Sequence, residues 1–217
     1  MILSHWYGSF RKQSRSSQIL GIALVVALLA LVEITTYRWF VRRSDEQAQM
    51  ALSRCIELYD RAKRENVSDL WVEAARAFES GHSQSSWSPL APYFLTFGAD
   101  IALRQGNKVK AHELVTQALK EMGQNNPLRP ALRVKQALLE IDADDAALQK
   151  QGEASLKTIA NDSTNPAREQ ALYYLGLIAF DAGNRPEAES IWKDLLIRAE
   201  KGSIWAEVAQ AKLQYHA

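Results

Sequence analysis

The sequence predicts an all-α chain, with one N-terminal transmembrane helix followed by a stack of antiparallel helix pairs. Three observations carry that expectation. One apolar stretch near the start is long enough to cross a bilayer. The rest places apolar residues three and four apart, with helix punctuation and no convincing strand alternation. A two-helix pattern at residues 93–119 returns at 170–196. The composition, 47% hydrophobic and 24% charged, is that of a folded chain and not a disordered tail.

The apolar stretch comes first. From Ile19 to Val32 every residue is apolar or glycine. With Gln18 before it and Ile34 to Tyr37 after it, the span 18–37 has 20 residues, about 30 Å of helix and the thickness of a hydrocarbon core. Glu33 lies near one end, where a carboxylate can reach the headgroups. Trp6, Tyr7 and Phe10 precede the span and Tyr37, Trp39 and Phe40 follow it, a pattern of interfacial belts. A cleavable signal would have a shorter apolar region followed by small residues, whereas "EITTYRWF" is bulky. An uncleaved anchor is therefore expected, with residues 1–17 as a short tail and residues 18–37 in contact with membrane lipid. Orientation is left open, because Arg11, Lys12 and Arg15 on one side balance Arg38, Arg42 and Arg43 on the other.

The charge divides with the anchor. Residues 1–43 hold six Lys/Arg against one Glu, giving +5, and residues 44–217 hold 20 against 24, giving −4. A mildly acidic domain offers no phosphate-binding face, so nucleic acid is not an expected partner. The single cysteine, Cys55, falls in an apolar helical pattern and reads as a core thiol.

After the span, Ser44 to Gln47 reads as a capping box opening a helix to about Glu65, with Ala48, Leu52, Cys55, Tyr59 and Ala62 inward. Ser68 reads as the cap of a second helix that buries Leu70, Trp71, Ala74 and Phe78. Residues 44–80 would form a linking or capping pair, and "SGHSQSSWSP" (80–89) a loop.

The echo follows. "YFLTFGADIALRQGNKVKAHELVTQAL" and "QALYYLGLIAFDAGNRPEAESIWKDLL" each hold an apolar helix, a Gly-Asn turn and a second helix. Gly106 aligns with Gly183, Ala111 with Ala188 and Val115 with Trp192, an offset of 77 residues, about two units of 34–40. Residues 127–166 make a degenerate middle unit lengthened at its turn, and 202–217 a final covering helix.

This pattern resembles the tetratricopeptide repeat, carried by Leu172, Leu175, Gly176, Gly183, Ala188 and Trp192. Ala179, Leu195 and Glu200 depart from the motif, and Ala99 stands at the Gly176 position of the first copy. The resemblance implies a tetratricopeptide-like α-α superhelix over residues 92–217. Gly176 and Ala188 would be small where two helices cross, and Gly183 would turn the chain.

No catalytic signature is read. HExxH, GxSxG and a phosphate-binding glycine loop are absent, and His5, His82, His112 and His216 lie far apart. Asp142, Asp144 and Asp145 read as a solvated acidic turn, lacking the glycine and terminal glutamate of a calcium loop. Neither enzyme activity nor a cofactor is expected.

The repeat resemblance instead implies a concave face lined by the first helix of each unit. By motif position it carries Tyr93, Thr96, Asp100, Leu103 and Arg104 in the first copy, and Gln170, Tyr173, Leu177, Phe180 and Asp181 in the last. Tyr93, Asp100, Arg104, Tyr173, Phe180 and Asp181 are the candidate partner-binding residues. Leu177 and Phe180 could equally pack against an adjacent helix.

The whole plan resembles a known family. A short tail, one anchor, "YRWF", an exit helix and divergent repeats resemble the tetratricopeptide-like ancillary subunit of the bacterial SecYEG translocon, with "GLIAFDAGNRPEAESIWKDLL" as the nearest local match. The resemblance implies a single-pass inner-membrane protein with a cytoplasmic tail and periplasmic repeats. Its implied partners are the SecYEG translocon and a membrane-anchored periplasmic chaperone of the prolyl-isomerase type, in handing over exported proteins. A cytoplasm-facing adaptor for another membrane complex is the alternative.

Overall fold

The structure, a computed structural model, describes residues 15–215, with side chains from Ala23 to Gln214 apart from Phe40. The tail residues Trp6, Tyr7, Phe10, Arg11 and Lys12, with His5 and His216, lie outside the described residues. Every regular element among the described residues is an α-helix.

Helix α1 (Arg15–Glu65) has 51 residues and is about 77 Å long at 1.5 Å per residue. It is the one described helix long and apolar enough to cross a membrane. Every described side chain from Ala23 to Trp39 is exposed. The Thr35 hydroxyl donates to the Leu31 carbonyl at 2.6 Å, which satisfies it within the helix.

The capping box expected at Ser44 does not open a helix, because α1 runs through it unbroken. No glycine or proline stands between Tyr37 and Glu65, so nothing ends the first helix and no orphan N–H groups need a cap. What changes near residue 48 is burial. Ala48, Cys55 and Ala62 are buried along one face, as the spacing predicts. The exit from the span is thus a rigid continuation of the same helix.

Asn66, at φ 51°, turns the chain into α2 (Ser68–Gln84), whose N-cap is Val67 and not Ser68. Trp71, Ala74 and Phe78 are buried as expected. The loop expected at 80–89 starts late, since α2 continues to Gln84. Gly81 explains the difference. A Cβ there would lie 2.3 Å from the Phe94 ring, so this glycine lets two helices cross closely. Tyr59, Trp71, Phe78, Phe94 and Phe97 then form one aromatic cluster, with Phe78 stacked on Phe97 at 5.1 Å.

Three hairpins follow: α3 (Ala91–Arg104) with α4 (Lys108–Glu121), α5 (Arg129–Ile141) with α6 (Ala146–Asn161), and α7 (Arg168–Asp181) with α8 (Arg185–Arg198). Helix α9 (Ile204–Tyr215) covers the last pair through Trp205, Ala209 and Leu213. Each helix packs mainly on its chain neighbours and in places on the next but one, so the core runs as a strip along the stack.

The first and third hairpins turn alike. Gly106 and Gly183 have φ of +75° and +80°, the left-handed region where only glycine is free of strain. The next N–H reaches back to the Ala102 carbonyl at 2.8 Å and to the Ala179 carbonyl at 2.9 Å. That is the six-to-one bond of a Schellman motif. Asn107 and Asn184 then cap α4 and α8 by accepting from the N–H groups of Lys110 and Glu187. In the middle hairpin Asp145 does this, accepting from Ala147 and Leu148 at 2.7 and 3.1 Å. Asp142 accepts from Lys108 at 2.8 Å, and that bond holds the ammonium pKa above its ordinary value.

All three hairpins share one packing register. Ala111, Gly152 and Ala188 are buried on the second helices, and four residues later so are Val115, Leu156 and Trp192. Size is traded across each crossing. Val115 accompanies Ala99 in the first hairpin, whereas Trp192 accompanies Gly176 in the third. A Cβ on Gly176 would lie 2.2 Å from the Trp192 ring nitrogen, which donates to the Tyr173 carbonyl at 3.2 Å.

Candidate partner-binding groove

Alternate helices α3, α5 and α7 bring half-buried flanks together along one side of the stack. Each contributes residues one helical turn apart: Thr96 and Asp100 from α3, Ala131 and Lys135 from α5, Gln170 and Tyr174 from α7. They line a groove of about 390 Å³, whose apolar walls include Leu128, Leu132 and Leu138. Asp100 and Lys135 form an ion pair that ties α3 to α5. The Thr96 hydroxyl is engaged within its own helix, donating to the Pro92 carbonyl at 3.0 Å. Burial, with a smaller contribution from Tyr173, raises the Tyr174 phenol above its ordinary pKa, so it is a neutral hydroxyl at physiological pH.

The expected set divides. Asp100 lines the groove, as do Thr96 and Gln170. Tyr93 is half-buried, and its hydroxyl accepts from Asn126 Nδ2 at 3.1 Å. Arg104 lays its guanidinium over the Trp71 ring at 4.9 Å, stacked on α2. Tyr173 packs against Tyr174 and Trp205, both at 5.5 Å between ring centres. Phe180 lies 6.0 Å from the Trp192 ring, and Arg185 caps it at 5.8 Å. Leu177 packs on the same cluster, so internal packing is the alternative the structure shows for Leu177 and Phe180. Asp181 is exposed at the end of α7. Eight residues turn a helix by about 800°, which leaves Tyr173 and Asp181 some 80° apart and not on one face.

Two polar groove residues, and the apolar walls, escaped the sequence reading. Tyr174, one residue from Tyr173, is the tyrosine that lines the groove, although Trp205 of α9 packs on both rings, at 5.5 and 5.8 Å. Lys135 lies in the middle unit, where motif positions do not align. The visible signal was its own periodicity, Ala131, Lys135 and Leu138 on one face.

A second groove, about 640 Å³, runs between α6 and α8 across α7 on another side of the stack. Its floor is Leu172, Leu175, Ile178 and Ala179, and its rim carries Glu153, Glu187 and Asp194 with Lys157. The first groove differs in drawing on three successive hairpins and in adding a phenol to the cation, carboxylate and amide that both grooves carry beside apolar walls. Such a surface can hold apolar side chains and hydrogen-bond a backbone. No protein-family model and no curated protein sequence matches the chain.

Proposed function

We propose that this chain is a membrane-anchored helical-repeat scaffold that holds a segment of a partner protein in the groove of α3, α5 and α7. The observation that carries the reading is the pairing of that groove with α1. A helix apolar enough to span a bilayer continues without a break into the core of the stack. In this reading the hairpins form a tetratricopeptide-like superhelix, and the groove is its concave side. A repeat stack with an open groove and a fixed anchor suits recognition of a peptide segment.

The resemblance noted above supports the finer reading. The chain is a single-pass inner-membrane protein, cytoplasmic at its tail and periplasmic in its repeats. It links the SecYEG translocon to a membrane-anchored prolyl-isomerase-type chaperone, and it assigns no catalytic step to itself. A reporter active only in the periplasm, fused after Ala217, tests the side. Activity is expected, and an inactive fusion made at full level places the stack in the cytoplasm. Affinity purification of the full chain from mild detergent tests the partners. Translocon subunits are expected, and their loss on replacing Tyr174 and Lys135 ties them to the groove.

A further inference from the structure

Trp87 is 90% exposed, the most exposed large apolar side chain among the described residues. Its surroundings are ordered and not loose. The Ser88 N–H donates to the Ser85 carbonyl at 2.8 Å, and the Ala91 N–H to the Ser88 carbonyl at 3.0 Å. The Ser88 hydroxyl donates to Asp45 Oδ1 on α1 at 2.9 Å, and both serines are buried. A tight turn anchored at both ends thus holds an indole out in the open, which ordinary burial of apolar surface disfavours.

The position of the turn suggests what covers it. Helix α2 returns antiparallel to α1 after a two-residue connection, so the turn at its far end points back toward the apolar span. Asp45 lies eight residues past Tyr37, about 12 Å along the helix. The headgroup layer occupies about 5–7 Å beyond the hydrocarbon on each face. The Ser88–Asp45 bond therefore sets the base of the turn about 5–7 Å beyond that layer, a gap spanned by the Trp87 indole at its tip together with a helix tilt of about 20° toward that side. Arg38, Arg42 and Arg43 lie on α1 in the same zone, and Arg43 stacks on Trp39 at 5.4 Å. Cations there complement anionic headgroups, and tryptophan favours this layer because one end of the ring is apolar and the other donates a hydrogen bond. Helix α1 has no break through which the stack could swing away.

We infer that the turn at residues 85–90 is a second membrane contact, with Trp87 set into the headgroup layer of the bilayer that α1 crosses. This rests on the membrane-anchored reading. Two contacts at different points hold the stack against rotation about α1, and so fix where the partner groove faces.

The test uses the full chain in vesicles of phosphatidylcholine and phosphatidylglycerol. A spin label is placed at Trp87→Cys, at Val32→Cys in the span, or at Val109→Cys at the opposite end of the hairpins, each with Cys55→Ala. Relaxation by oxygen, which enters lipid, is compared with relaxation by an aqueous nickel chelate. The oxygen-to-nickel ratio at 87 should exceed that at 109 by about twofold or more, and stay below that at 32. A ratio at 87 equal to that at 109 overturns the inference while the anchor stands. Equal ratios at all three positions remove the anchor itself. Native cysteine and label chemistry are bypassed by a second measurement. Lipids brominated near the headgroup should quench the unlabelled protein more than Trp87→Phe, and equal quenching counts against the contact.

Discussion

Gly176 is the position where the packing argument is sharpest. Replacing it with alanine adds one methyl group to a crossing that has no room. The new Cβ would fall 2.2 Å from Trp192 Nε1 and 2.6 Å from two ring carbons. The indole cannot retreat freely, being 1% exposed and hydrogen-bonded to the Tyr173 carbonyl at 3.2 Å. Overpacking of this kind costs about 1–3 kcal/mol. Breaking the indole bond leaves a buried polar group and adds about 1–3 kcal/mol. Against this, alanine in place of glycine favours the helix by about 1 kcal/mol. The net expectation is a loss of about 1–5 kcal/mol, read as a fall in melting temperature of about 2–4 °C per kcal/mol. The control comes from the first hairpin, which fills the same crossing with Ala99 and Val115. In a Trp192→Val background the clash is gone, so Gly176→Ala should stabilise by up to about 1 kcal/mol. Unfolding of the full chain in detergent, followed by circular dichroism across the four proteins, reads this reversal of sign. A Gly176→Ala protein as stable as the parent with Trp192 in place would refute the close crossing.

The remaining predictions concern turns, the thiol and the tyrosine pair. Gly106→Ala and Gly183→Ala should each cost about 1–2 kcal/mol, although nothing lies within 4 Å of either site, because only their φ is unfavourable. Gly123, equally open but not at positive φ, should accept alanine at no cost or with a gain of about 0.4–1 kcal/mol. Burial raises the Cys55 thiol pKa, so the folded state holds that proton more tightly than the unfolded chain. Its contribution to stability is present below the ordinary thiol pKa and is lost as pH rises through the raised value. Melting temperature should therefore fall more steeply above pH 9 in the parent than in Cys55→Ala. Tyr174→Ala should weaken a groove partner by about 1–2 kcal/mol while the helical circular dichroism spectrum is retained. Both Tyr173→Ala and Tyr174→Ala remove a ring contact with Trp205 and should lower the melting temperature, but Tyr173→Ala should leave partner affinity unchanged.

The parts of the fold that were legible in the sequence are those set by local chemistry. Glycine followed by asparagine announced both outer turns, because a left-handed residue and a side-chain cap are each encoded by one residue. The burial of Trp71, Phe78 and Cys55 followed from spacing alone. Junctions were read less well. Ser44 carries a good capping signature, but a cap acts only where a helix ends, and nothing between Tyr37 and Glu65 ends one. Gly81 reads as loop by composition, yet it is a packing glycine, and its reason is Phe94, thirteen residues away. The groove was legible in part, through Thr96, Asp100 and Gln170, and its other polar residues were missed for a related cause. Motif alignment carries an uncertainty of one residue, which on a helix is 100°, and that exchanges Tyr173 for Tyr174. Arg104 and Phe180 point to rings of other helices, which no local pattern reveals.

The central claim is that the groove of α3, α5 and α7 holds a partner segment. It is tested most directly by a photo-crosslinking amino acid placed in the full-length protein in cells. One variant carries it at Gln170, in this groove, and another at Ser190, which lines the groove between α6 and α8. The account predicts discrete adducts with a translocon subunit or an exported-protein chaperone from position 170, reduced by Lys135→Ala and Tyr174→Ala, and none from 190. Adducts from 190 alone, with 170 silent in a protein made and inserted at parental level, would contradict it.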